Sequence, residues 1–386
     1  MGIAAARRPS LMAPPNESSD FDLHGLVGVR VVDGTPADVA VVRRQLGHPE
    51  TTLDREPDLT VRFVDRLAPA PLTLVGVGES GYDDDSFYLL QAKGGSTRRT
   101  KIPFDRLGPG AELVCERGIP AVPHLLATVN LVLLTRDVLP LHATALEVDG
   151  EGILVTGWSK GGKTETLLAA TSHGARYVGD EWVHLPPDGR MLGLPEPIRL
   201  WAWQLAQRPD LLASRTSAER RRLRAWSTLS RIADGMADRS WKGSGMVRRV
   251  APTLGRQAYL QVPPADLFGA DGMVSSARLD AVVLVLSHEA PETVVRAAEP
   301  GEISRRMAAS LAEERAPLMV HYRQFRYAFP DRPSPLLESA GELEARLLAD
   351  RLDHVPSAKV THPHPCDVQE LGRAVLDAAR GARTRN

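Results

Sequence analysis

The stretch Gly152-Ile153-Leu154-Val155-Thr156-Gly157-Trp158-Ser159-Lys160-Gly161-Gly162-Lys163-Thr164-Glu165-Thr166 decides the fold class of this chain. Residues 153–156 are apolar or β-branched and predict a buried strand. Residues 164–171 predict a helix, with Gly174 placed to stop it. Between them, residues 157–164 satisfy G-x-x-x-x-G-K-[ST]. A strand, a glycine-rich loop and a helix N-terminus together make an anion site, because free backbone N–H groups and the positive end of the helix dipole converge there. Gly157, Gly161 and Gly162 let the backbone turn N–H groups toward phosphate oxygens, with Ser159 and Lys160 completing the loop. Lys163 is placed to reach the β- and γ-phosphates, and the Thr164 hydroxyl to hold Mg²⁺. Lysine is scarce in this arginine-rich chain, yet Lys160 and Lys163 both lie in the loop, where a compact ammonium suits a phosphate. ATP and Mg²⁺ are the expected ligands.

The next predicted strand, residues 175–185, carries Asp180 and Glu181 side by side in an apolar run. Unpaired buried charge is costly, so two acids breaking a strand core point to compensation by a metal–nucleotide site. At least one of them is expected to serve Mg²⁺ or to act as a base. Before the loop, residues 141–148 predict a strand with His142 at its start, followed by an Asp149-Gly150 hairpin turn. Titration near neutrality makes His142 capable of proton transfer, although a lone histidine beside a strand is more often simply packed.

Taken together, His142-Ala143, residues 150–157, Gly162-Lys163-Thr164-Glu165-Thr166 and Gly174-Ala175-Arg176-Tyr177-Val178-Gly179-Asp180-Glu181 resemble the HPr kinase/phosphorylase family and the broader HPr-kinase-like group of bacterial proteins. The resemblance spans residues 138–200 and fades on both sides. It implies an α/β fold with an α+β mixed sheet, similar to phosphoenolpyruvate carboxykinase. It also implies roles: Lys163 and the loop amides on the nucleotide phosphates, Thr164, Asp180 and Glu181 on Mg²⁺, and Glu165 close to metal or nucleotide. Asp180 would be the general base for an acceptor hydroxyl, and His142 would stand near the transferred phosphoryl group. Lys160 departs from the family by standing where glycine is usual, and it would add a second cation near the phosphates. Glu181 replaces the more usual aspartate. The family's downstream signature for the phosphorolysis direction is not found, so dephosphorylation is not expected.

The 386 residues, 43% of them hydrophobic, are enough for two domains. A net charge of −1 gives no basic field for nucleic acid. Cys115 and Cys366 lie far apart and suit a reducing cytoplasm rather than a disulfide scaffold. The arginine-containing N-terminus lacks an apolar segment, and no apolar run is long enough for a bilayer, so a cytoplasmic protein without membrane contact is expected. Residues 1–20 read as a flexible tail, and 21–137 as a β-rich module with strands at 27–32, 59–64, 72–77 and 87–92. Residues 138–380 read as the kinase domain and 381–386 as a tail. Asp83, Asp84 and Asp85 read as a turn, and 119–134 as a buried helix. Thr216 to Glu219 predicts a capping box opening a basic helix, and residues 241–250 a basic lid or acceptor-binding loop. Residues 279–287 predict a core strand; 302–314, 339–349 and 367–379 predict helices, the second capped by Ser339. His362, His364 and Cys366 alternate like a ligand set, but Pro363 and Pro365 spoil the ladder.

The reading that best absorbs these features is a Mg²⁺- and ATP-dependent phosphotransferase acting on a hydroxyl of a protein, a peptide or a small molecule. Two alternatives stay open: a nucleotide-binding regulatory module without transfer, and a carboxykinase-like enzyme acting on an organic acid. The last would need a transition-metal site. Acceptor identity and homo-oligomer formation are not fixed by sequence.

Overall fold

A computed structural model describes residues 18–67, 71–76, 78–93, 96–207, 209–237, 259–299 and 301–384. The expected basic loop at 241–250 and most of the expected tail at 1–20 lie outside these. Ser19 and Asp20 already belong to a strand, and the last helix runs to Arg383, so neither end of the described chain matches the tails read from sequence. The chain divides into two compact units, one of residues 1–43, 49–125 and 321–334, the other of residues 44–48, 126–320 and 335–386.

The first unit is built on alternation. In Leu59–Val64, residues Leu59, Val61 and Phe63 are fully buried while their neighbours are only partly covered, the signature of a strand with one face on a core. Among the described residues this unit holds an eight-stranded mixed sheet, in the order Ser19–Leu23, Val27–Val32, Leu59–Val64, Ala111–Glu116, Ser96–Lys101, Phe87–Lys93, Ser80–Tyr82 and Thr73–Val75. Val27–Val32, Leu59–Val64 and Ala111–Glu116 run parallel, and the remaining pairs are antiparallel. Asp83 makes the expected turn: its Oδ1 accepts from the N–H groups of Asp85 and Ser86, and its Oδ2 from the Tyr88 hydroxyl. The helix expected over 119–134 begins only at Leu125. Pro120 and Pro123 bar a regular helix before it, and His124 has a left-handed backbone with φ 58°.

The second unit is a mixed α/β assembly. Its nine-stranded sheet runs Arg176–Gly179, Thr144–Val148, Glu151–Thr156, Ala277–His288, Arg190–Gly193, Trp182–Leu185 and Leu139–His142, with Ser357–Pro363 on Ala277–His288 and Val294–Ala297 beyond it. Glu151–Thr156, Ala277–His288 and Ser357–Pro363 are mutually parallel neighbours. Helices Lys163–Ser172 and Val368–Arg383 bury Leu167, Leu371 and Val375 in one core with Leu146, Val155, Val283 and Val360. A Cβ on Gly372 would stand 2.4 Å from Ala169 Cβ, so the two helices cross at close range there.

Three expectations need correction. The strand predicted over 175–185 is broken at Asp180-Glu181, because Glu181 adopts a left-handed backbone with φ 65° and turns the chain into a different ladder. The strand predicted over 141–148 is likewise broken at Ala143, whose N–H donates to Glu181 O at 3.2 Å. His142 therefore ends Leu139–His142 rather than opening the next strand. Finally, Ser339 does not cap a helix: the helix spans Pro335–Leu352, and the Ser339 hydroxyl donates to Pro335 O inside it.

Candidate functional site

The loop at 157–162 joins Glu151–Thr156 to Lys163–Ser172, the strand–loop–helix order read from sequence. Gly157 is required by proximity, since a Cβ there would come within 2.4 Å of Val285 O. Gly162 occupies the helix N-cap with φ 106°, a conformation costly for any side chain. Lys160 has φ 63°. That left-handed conformation favours glycine, and here a lysine bears its cost. The ammonium of Lys160 stands 5.6 Å from the centre of the Trp201 ring, a cation–π contact.

Lys163 is buried, and its Nζ donates to Gly157 O at 3.0 Å and Trp158 O at 3.1 Å. Burial lowers its pKa, and the nearby Glu181, Asp180, Glu314 and Glu165 partly oppose that. Across from it, Thr164 Oγ1 donates to Asp180 Oδ2 at 3.1 Å, and Thr144 Oγ1 donates a short hydrogen bond to Asp180 Oδ1. Asp180 is buried, and burial together with the adjacent Glu181 pushes its pKa up to about 6. A hydrogen bond from His142 pulls Glu181 the other way, below its ordinary value.

His142 stands between two carboxylates: Nε2 lies 3.2 Å from Glu181 Oε2 and Nδ1 lies 3.0 Å from Glu314 Oε1, with Ser310 Oγ 3.5 Å from Nδ1. Glu165 is buried and its Oε1 accepts from Gln204 Nε2 at 2.9 Å, while Gln204 Oε1 accepts from Trp201 N at 2.7 Å. Glu165 thereby tethers the helix start to the ribbon made by Ile198–Trp201 and Tyr259–Val262.

His142, Ser159, Lys160, Lys163, Thr164, Glu165, Asp180 and Glu181 all line one cavity of about 930 Å³. Gly157, Gly161 and Gly162 belong to the loop that carries Ser159 and Lys160 but are not themselves part of the lining. The lining also includes Arg199, Trp201, Trp203, Gln204, His288 and His364. Sequence reasoning gave no role here to Arg199, Trp201, Trp203, Gln204 and His288, nor to Ser310, Glu314 and Glu196, and it read His364 only as part of an alternating ligand set. Glu196 sits in Pro195-Glu196-Pro197, where burial first and then Glu181 push its pKa up to about 8. The two flanking prolines were the only local signal, and they read as a plain extended segment.

Thr164 and Asp180 offer hard oxygen donors beside one another, with Glu181 next in sequence. That set fits Mg²⁺, which is ordinarily held by one or two carboxylates and otherwise by water and phosphate oxygens. Among the described residues, no group of three or more His, Cys, Asp or Glu side chains is arranged to hold a metal alone. His362 and Cys366 fit that result: both ring nitrogens of His362 face carbonyl oxygens, and burial pushes the Cys366 thiol up to about 11.

No family model matches the chain, and no curated protein matches it. Among solved structures, the Hpr(Ser) kinase/phosphatase from Coxiella burnetii is similar at 14% sequence identity, over 49% of this chain and 98% of that one, with a TM-score of 0.18. Among the described residues, no helix is long and apolar enough to cross a membrane.

Proposed function

We propose that the second unit is a Mg²⁺-dependent phosphotransferase that moves the γ-phosphoryl group of ATP to a hydroxyl. The observation that carries this reading is the Thr164 hydroxyl, placed by the glycine-rich loop at a helix start and hydrogen-bonded at 3.1 Å to a buried aspartate. Lys163 now donates to two loop carbonyls, and a triphosphate would draw that ammonium outward as the better acceptor. The loop N–H groups and the helix N-terminus would hold the phosphate oxygens. Thr164, Asp180 and Glu181 would hold Mg²⁺, which supplies charge neutralisation on the phosphates.

Asp180 would take the proton of the acceptor hydroxyl while the acceptor oxygen forms a bond to the γ-phosphorus. The bond from that phosphorus to the bridging oxygen breaks, and ADP leaves. His142, held between Glu181 and Glu314, would present its ring beside the transferred group. Lys160, Arg199 and the Trp201 wall would face the remaining parts of nucleotide and acceptor. The acceptor is a hydroxyl-bearing protein, peptide or small molecule.

Incubating the full chain with γ-labelled ATP, Mg²⁺ and a pool of candidate proteins and peptides tests the reading. Label on an acceptor, lost with Lys163→Ala and with Asp180→Asn, is the expected result. Nucleotide binding without transfer to any acceptor would replace it with a nucleotide-binding regulatory module.

A further inference from the structure

Ile198–Trp201 alternates along its length: Ile198 and Leu200 are buried, while Arg199 and Trp201 lie on the other face and line the cavity. The Trp201 ring is already engaged. Lys160 Nζ stands 5.6 Å from its centre, and the Tyr259 ring packs against it at 5.4 Å between centroids. Two residues on, Trp203 lines the same cavity and is 36% exposed. Among the described residues, no aromatic ring or cation is paired with its indole. A large apolar ring is thus left facing the space into which the phosphate loop opens.

The neighbour of Trp203 ties this indole to the helix start. Gln204 is buried, its Nε2 donates to Glu165 Oε1 at 2.9 Å, and its Oε1 accepts from Trp201 N at 2.7 Å. Glu165 directly follows Thr164 at the start of Lys163–Ser172. Asp180 and Glu181, which the reading above gives to metal and acceptor, come instead from the turn between Arg176–Gly179 and Trp182–Leu185. A triphosphate whose γ-group faces Asp180 carries its nucleoside at the opposite end. Trp203, one residue from the Glu165 contact, offers that end an open surface. Trp158 is more exposed, at 52%, but it lines a separate cavity of about 220 Å³ that contains none of Lys163, Thr164 and Asp180.

We propose that Trp203 seats the nucleobase, its indole stacking on the face of a purine whose phosphates the loop holds. The proposal rests on the nucleotide reading above and adds a group that tells a nucleotide from an inorganic polyphosphate. Every base has a π-face, and stacking removes both that face and the exposed indole from water. Lys160, held over Trp201, joins the loop to the same ribbon, so the phosphate cradle and the stacking surface belong to one connected set of residues.

Calorimetric titration of the full chain with two probes, ATP and inorganic tripolyphosphate, each with Mg²⁺, tests this. Trp203→Ala should weaken ATP binding about tenfold and leave tripolyphosphate binding unchanged. Trp203→Phe keeps a ring to stack on and should recover part of the loss. Unchanged tripolyphosphate binding also shows that each variant is folded around an intact loop. ATP affinity unchanged in Trp203→Ala, or both probes weakened by the same factor, would overturn the proposal while the phosphotransferase reading stands. If the wild type binds neither probe, that reading fails and the proposal falls with it.

Discussion

The first unit and the cavity of the second handle buried charge in opposite ways, although elsewhere in the second unit Glu147 and Glu344 are paired with Arg176 and Arg315. In the first, each buried acid has a dedicated partner. Asp20 takes both arms of the Arg30 guanidinium at 2.7 and 3.0 Å and the Leu53 N–H at 3.2 Å, and the Arg30 hydrogen bond holds it below its ordinary pKa. Asp58 accepts from Gly28 N, and Glu116 accepts from Leu67 N and Arg99 N. In the second unit, Asp180, Glu181, Glu165 and Glu314 gather about Lys163, which donates to none of them and spends its hydrogen bonds on carbonyls. Asp180 and Glu196 are pushed upward instead of down. Paired charge fixes a scaffold. Crowded charge beside a cationic loop is stable only at some cost, and a ligand that brings both phosphate and a dication would relieve it.

Lys163→Ala breaks the contrast most sharply. Phosphoryl transfer should fall by about a thousandfold, as expected when a cation on the transferred group is lost. The unfolding free energy should change by less than about 1 kcal/mol, because burial already disfavours this ammonium and no carboxylate depends on it for a hydrogen bond. Steady-state transfer assays paired with urea titrations read both quantities. A large loss of stability would mean that the lysine is a structural ion-pair member.

Arg30→Leu should do the reverse. It strips the partner from an aspartate side chain that is 8% exposed, while Arg30 itself is 29% exposed. A cost of about 2 kcal/mol in urea titrations, at the low side for a broken buried pair because Arg30 is partly solvated, should come without any change in transfer per folded molecule.

Acid should expose a different weakness in the first unit. His124 Nε2 lies 2.8 Å from His321 Nδ1, and burial lowers the His124 pKa from 6.5 to about 4. The unfolded chain then binds a proton that the folded chain refuses. Stability is full above about pH 6.5 and declines as pH falls toward 4, by about 2 kcal/mol for a ring that is not wholly buried. Stability measured against pH in wild type and His124→Gln should show a shallower acid slope in the variant; identical slopes would remove His124 as the cause.

The smallest effect concerns the loop itself. Lys160→Ala loses the Trp201 contact and keeps the left-handed backbone, whereas Lys160→Gly loses the contact and relieves the backbone. The glycine variant should be the more stable of the two by about 1 kcal/mol. Thermal unfolding of both proteins gives that difference, and a more stable alanine variant would mean that the backbone at residue 160 is not strained.

What was legible in the sequence was local or periodic. The strand, loop and helix around Lys163 follow from one continuous stretch, and Leu59–Val64 follows from its alternation. The bringing together of His142 with Asp180-Glu181 came through family resemblance, since neither residue carries a local mark of the other. Both strand breaks escaped because Glu181 takes a left-handed backbone that composition gives no reason to expect of a glutamate. Glu314 looks like any acid on an amphipathic helix, and only the fold sets it 3.0 Å from His142. His362 reads as one of three alternating ligands until the loop is placed above it. The apolar run at 119–134 overextended a helix because hydrophobicity outweighed two prolines that sterics do not forgive.

The most direct test of the central claim is a calorimetric titration of the full chain with ATP, in the presence and absence of Mg²⁺. The account predicts saturable binding that Mg²⁺ strengthens in the wild type, with that strengthening lost when Thr164→Ala removes the hydroxyl beside Asp180. Absence of binding, or binding equally strong without Mg²⁺ and unchanged in Thr164→Ala, would contradict it.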